Sequence, residues 1–140
     1  MKQKINWSVH IISLLVSLIF IPISLLGQIG GNFVGNFFIW FNDYLAWWSF
    51  PNFIKIIVSS FIAGYIAGYF SAFVIFKIYK NVIVTTATIL PAALIIFAVL
   101  GDLLFAVKNG FDLETLGHFI RNGLTIFTYY AMLIDFKNTQ

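Results

Sequence analysis

The chain has 140 residues, with 8 Lys or Arg against 5 Asp or Glu, and 61% of it is hydrophobic at a mean hydropathy of +0.96. That exceeds the roughly 45–50% apolar content of soluble domains. It excludes a soluble globular fold, a disordered tail and a nucleic-acid-binding module; the +3 charge comes from a few lysines. No cysteine is present, which excludes disulfides, thiolate metal sites and thiol chemistry.

The expected class is therefore an all-α integral membrane protein. Charges are absent from residues 5–42, 56–76, 81–101 and 122–134. A helix crossing the hydrocarbon core needs roughly 20 mostly apolar residues. The runs predict a bundle of four transmembrane helices over 7–26, 53–76, 82–107 and 113–134, a single membrane domain. Barrel strands would alternate over ~10 residues, and these runs are continuous.

The first predicted helix follows Lys2 and Lys4, as a signal peptide would. Its length and the Leu25-Leu26-Gly27 that ends it make a poor cleavage site, so it reads as a retained span. It carries a weak polar stripe of Asn6, His10, Ser13, Ser17 and Ser24. Pro22 within it leaves the Leu18 carbonyl without its usual donor.

Residues 27–52 then read as a long outer loop holding an amphipathic helix over about 33–49. At 100° per residue, Phe33, Phe37, Trp40, Phe41, Tyr44, Trp47 and Trp48 share one face. Trp and Tyr favour the headgroup level, so this helix is expected to lie along the membrane surface. Gly27, Gly30, Gly31 and Gly35 at its start are expected to supply the bend.

In the second predicted span Ser60, Gly64, Gly68 and Ala72 recur every four residues, and Ser59, Ala63, Ala67 and Ser71 repeat on the adjacent ridge. Small residues at this spacing let helix backbones approach closely in lipid. The third span holds Thr85, Thr86, Thr88 and Pro91, which frees the Ala87 carbonyl. Hydroxyls, neighbouring helices or water must satisfy it.

The fourth span carries Glu114, His118, Arg121 and Thr125 on one stripe. Folding about Gly110 puts Asp102 level with His118 and Arg121 about one turn deeper, so the three are expected to form one polar intramembrane cluster. An unpaired charge at mid-membrane costs roughly 2.5–3.5 kcal/mol, and intramembrane ionisable residues are functional candidates by default. A structural ion-pair network, or snorkelling of Arg121, is the competing reading.

Lysine placement orients the chain. Lys2, Lys4, Lys77, Lys80 and Lys137 fall on one side, Lys55 and Lys108 on the other. The positive-inside rule makes this a multi-pass inner-membrane protein with both termini cytoplasmic. No metal-ligand cluster, haem pair, catalytic triad or phosphate-binding glycine loop is legible, so no metal, cofactor or enzymatic activity is expected. Two functions fit. One is a non-enzymatic protein acting through helix packing with itself or a membrane partner, in an accessory, immunity-like or assembly role. The alternative is a small oligomeric transporter or channel lined by Asp102, His118 and Arg121. The expected partners are the lipid bilayer and a second membrane chain, not nucleic acid.

Overall fold

The computed structural model describes residues 6–45 and 51–139, and these are almost entirely helical, with no strand among them. The helices are α1 (Trp7–Ser17), α2 (Phe20–Leu45), α3 (Asn52–Ile78), α4 (Val84–Asn109) and α5 (Leu113–Asn138). The run Trp7–Tyr44, α3 and α4 are each long and apolar enough to cross a membrane, each holding an 18-residue stretch of mean hydropathy 2.5, 1.7 and 2.4 respectively. The sequence also predicts a span in α5. Its 26 residues suffice for that length, but it is more polar, because it buries Thr115, Asn122, Thr125 and Thr128 inside the bundle.

The first predicted span differs from what forms. Residues 7–26 are not one helix: the chain breaks at Leu18 and Ile19. Pro22 is the physical cause. It has no N–H for the Leu18 carbonyl, and that carbonyl is taken instead by Ile21 N–H at 3.3 Å, in a tighter turn continued by Ile19 N–H to Val16 O at 3.1 Å. A straight helix of 38 residues would measure about 57 Å, against roughly 30 Å of hydrocarbon. The break lets α1 turn onto the start of α4. There the Ser13 hydroxyl accepts from Ile83 N–H at 2.9 Å, and His10 Nδ1 lies 2.8 Å from the Thr86 hydroxyl.

The expected bend at the glycines is absent, and α2 runs unbroken from Phe20 to Leu45. The segment over 33–45 is helical as expected, but it is the second half of α2 rather than a separate helix in a loop. The glycines serve close approach instead. A Cβ added at Gly27 would lie 2.6 Å from Ala67 Cα, at Gly31 2.5 Å from Ala63 Cα, and at Gly35 3.0 Å from Ser59 Cα. Three glycines spaced by four thus seat α2 antiparallel on one small-residue ridge of α3. The Asp43–Lys55 ion pair closes the seam near its end. Trp47 and Trp48 lie outside the described residues.

The other ridge of α3 packs on α5. A Cβ on Gly64 would meet Arg121 O at 2.6 Å, and one on Gly68 would meet Thr125 O at 2.5 Å. The pairs advance together along both chains, so α3 and α5 run parallel. Ser60, Gly64, Gly68 and Ala72 are all buried in this way. The helices therefore neighbour one another in the order α2, α3, α5, α4, with α1 against α4, and no extended seam joins α2 to α4.

The two ends differ in charge. Lys77, Lys80 and Lys137 mark one, with Asp135, and there Lys137 Nζ reaches Val82 O at 3.1 Å. Asp43, Asp112 and Glu114 mark the other, with Lys55 and Lys108. The apolar core, built from Phe20, Ala72, Ile75, Val82, Ala87, Tyr129 and Leu133, lies toward the lysine end.

Candidate functional site

The α4–α5 turn sets the geometry of the polar cluster. Gly110 ends α4 at φ 96° and ψ 152°, a positive-φ conformation open essentially to glycine alone. Asp112 then caps α5, its Oδ1 accepting from Thr115 N–H at 2.8 Å and from the Thr115 hydroxyl at 2.6 Å. These bonds, the hydroxyl's first, hold the Asp112 carboxyl below the usual carboxylate range. The hairpin so formed brings Asp102 Oδ1 to 3.2 Å from His118 Nδ1.

Arg121 lies one turn further from the acidic end. It makes no ion pair among the described residues, and its buried Nε has no hydrogen-bond partner. The expected three-way cluster is thus a contacting pair, Asp102 and His118, with Arg121 beside it. All three nevertheless line one cavity of about 400 Å³.

This cavity is a trough. Its floor is α5, its walls are α2 and α4, and its open side is the gap where those walls fail to meet. It is layered. Asp102 and His118 stand nearest the acidic end, and Arg121, Asn122 and Gln28 come next. Leu25, Leu94 and Ile95 follow, and Phe20 and Ile21 are deepest. Below them Phe20 packs edge-on against Tyr129, with ring centroids 5.0 Å apart. Tyr129 is fully buried, and its hydroxyl donates to Ala87 O at 3.0 Å. That is the carbonyl Pro91 frees, so one bond both satisfies the kinked helix and fixes the ring that closes the trough.

His118 also borders a second cavity of about 270 Å³ on its other side, with Lys55 and Glu114. It therefore stands between the trough and the charged end of the bundle. His10 is at the opposite end, bonded to Thr86, and shares nothing with this site.

Gln28 and Asn122 are trough residues that the sequence reading passes over. Asn122 had a signal, since it stands four residues after His118 on the same helix face. Gln28 had none, because its segment read as loop. The aromatic residues Phe33, Phe37, Trp40, Phe41 and Tyr44 are all exposed on α2, with Trp40 and Tyr44 stacked at 5.8 Å.

The arrangement offers a cation with planar donors, a carboxylate one turn away toward the acidic end, and neutral amides beside the cation. That is equipment for holding a polar group. Among the described residues His118 has no hydrogen-bond partner but Asp102, and no three His, Asp or Glu cluster at metal-binding distance. Comparison with protein-family models, curated proteins and solved structures gives no match to this chain.

Proposed function

We propose that this is a small non-enzymatic multi-pass membrane protein that holds a polar guest in the α2–α4–α5 trough, as a small transporter or a binding subunit of one. The observation that carries this reading is Arg121. A guanidinium with a buried, unpartnered Nε is costly in a low-dielectric setting unless something binds it. Here it faces a cavity that opens toward the acidic end and is blocked toward the lysine end by Phe20 and Tyr129. The lysine asymmetry assigns the lysine end, with both termini, to the cytoplasm of an inner membrane. On that orientation the trough faces outward, and α5 is the fourth crossing.

The packing-based reading loses support from the small-residue ridges, because both are used within the chain. What favours it is the exposed aromatic face of α2, which suits a second copy or a membrane partner. Replacing Phe37 and Trp40 with Ala should then reduce oligomer size in detergent without lowering thermal stability. An unchanged size would end that reading.

The chain lacks cysteine, so the trough can be tested with single thiols. Ala98→Cys, at the level of Arg121 in the trough wall, should react with a water-soluble maleimide in the delipidated protein in detergent, where no bound molecule covers it. Phe111→Cys in the α4–α5 turn should react as well, and Ala87→Cys beneath Tyr129 should not. Labelling of Phe111→Cys without Ala98→Cys would mean the trough holds no water and the site reading is wrong. In intact cells, labelling of Lys80→Cys in place of Phe111→Cys by a membrane-impermeant maleimide would reverse the orientation.

A further inference from the structure

We infer that the guest is a lipid of the outer leaflet whose zwitterionic head carries a phosphate beside a primary ammonium. This rests on the reading of the trough as an outward-facing membrane site. Three features of the trough lead to it.

The first is the order of its lining. The polar residues Asp102, His118, Arg121, Asn122 and Gln28 precede Leu25, Leu94, Ile95 and Ile21 on going from the acidic end inward, and Ser24 among the latter spends its hydroxyl on Ile21 O at 3.1 Å. From Asp102 to Leu94 along α4 is about 12 Å, close to the ~15 Å of one leaflet of the core. A lipid of that leaflet presents its head and its chains in the same order and over the same depth. A soluble solute would leave the apolar half of the trough unused.

The second is the open side. Because α2 and α4 share no extended seam, the trough is bounded on three sides only. A lipid can enter sideways while its chains stay in the bilayer, so no apolar surface has to cross water.

The third is the charge pattern. Arg121 supplies the planar, paired donors that match phosphate oxygens. Asp102 stands a turn nearer the surface, with Oδ1 toward His118 and Oδ2 left to accept from an ammonium. Opposite charges one turn apart match a head in which two methylenes separate phosphate from ammonium. A phosphoglycerol head has no cation for Asp102. A choline head has a cation but no N–H to donate.

The test is native mass spectrometry of the wild-type chain in detergent, titrated with phosphatidylethanolamine, phosphatidylglycerol, phosphatidylcholine and free phosphoethanolamine. Phosphatidylethanolamine should bind one per chain, about tenfold more tightly than either other lipid, the worth of one charge-assisted hydrogen bond. Free phosphoethanolamine should bind more weakly still, since it cannot use the apolar half. Arg121→Gln should weaken all three lipids. Asp102→Asn should abolish the preference for phosphatidylethanolamine over both phosphatidylcholine and phosphatidylglycerol. Equal affinity for the three lipids, or tighter binding of phosphatidylglycerol, overturns the head assignment. Free phosphoethanolamine binding as well as the lipid overturns the lipid assignment. These comparisons need no variant to fold. If nothing binds while Ala98→Cys labels from water, this inference fails and the trough remains a site. If Ala98→Cys does not label, the site reading fails with it.

Discussion

Gly68→Ala and Gly123→Ala are the same chemical change on two helices of this bundle, and they should move stability in opposite directions. Neither glycine has a positive φ, so alanine is allowed by the backbone at both. In a helix interior alanine is favoured over glycine by about 0.8–1.0 kcal/mol. At Gly123 nothing lies within 4 Å of an added Cβ, so that gain should be kept. At Gly68 the Cβ would sit 2.5 Å from Thr125 O and 2.7 Å from Thr128 Cβ. Ordinary contact begins at 3.4 Å, so α5 must retreat by about 0.9 Å, the difference of the two distances. A gap of 0.5–1 Å already forfeits a quarter to a half of each dispersion contact along the seam. Overpacking of this kind costs about 1–3 kcal/mol; the propensity gain is common to both changes and cancels between them, which leaves the two variants about 1–3 kcal/mol apart. Reversible unfolding in mixed micelles, followed by far-UV circular dichroism, measures the gap. Size-exclusion chromatography checks that the oligomeric state is unchanged. If Gly68→Ala proves as stable as Gly123→Ala, α3 and α5 do not approach as described.

Tyr129→Phe should cost about 1–2 kcal/mol, because the Ala87 carbonyl loses its donor in a buried position. Adding Pro91→Ala returns an N–H to that carbonyl, so the double variant should recover part of the loss; additive effects in the cycle would refute the link. Ser13→Ala should leave Ile83 N–H unpaired and speed its hydrogen exchange, with a loss of about 1 kcal/mol; unchanged exchange would mean α1 does not cap α4. Asp112→Ala should lower the thermal midpoint at neutral pH. The folded carboxyl lies below its usual range, so its contribution is present above the unfolded value and is lost as pH falls through the folded one. The difference between wild type and variant should therefore close in acid, and a difference that persists there would exclude the cap as its source.

What the sequence revealed depended on whether the signal was local. The helices α3, α4 and α5 are legible in the sequence to within a few residues because charges bound them. Asp102 and His118 were placed together correctly because a tight turn at Gly110 leaves a helical hairpin little freedom of register. The start of the chain misled for a physical reason. Gly27, Gly31 and Gly35 can open a bend or admit a neighbouring backbone, and only the partner ridge Ser59, Ala63 and Ala67 decides between them. That ridge lies some thirty residues away, and its complement was visible only if α2 was already taken as a helix through the glycines. Pro22 likewise lies inside one predicted span of the sequence, whereas in the structure the chain breaks just before it, between two helices with different partners. Helix spacing puts Arg121 one turn beyond His118, as α5 has it, but its lack of a partner is a matter of side-chain geometry that spacing does not report.

The trough follows from these packing choices rather than from residues set aside for it. Pro22 releases α1 from the line of α2, and α1 covers the start of α4 with Ser13 and His10. The glycine ridge meanwhile holds α2 against α3. A helix fixed to α3 by backbone contact cannot also close on α4 across the width of α5, so the gap above Phe20 is the geometric remainder. At the lysine end the remainder is filled by Phe20 and Tyr129, and the latter is fixed there by the carbonyl that the second proline exposes. Toward the acidic end no large apolar side chain fills it, and α5 lines it with His118, Arg121 and Asn122. This also accounts for the composition of α5. It is the least apolar of the long helices because one face packs on the glycines of α3 through small and hydroxylated residues, while another faces the trough with polar ones.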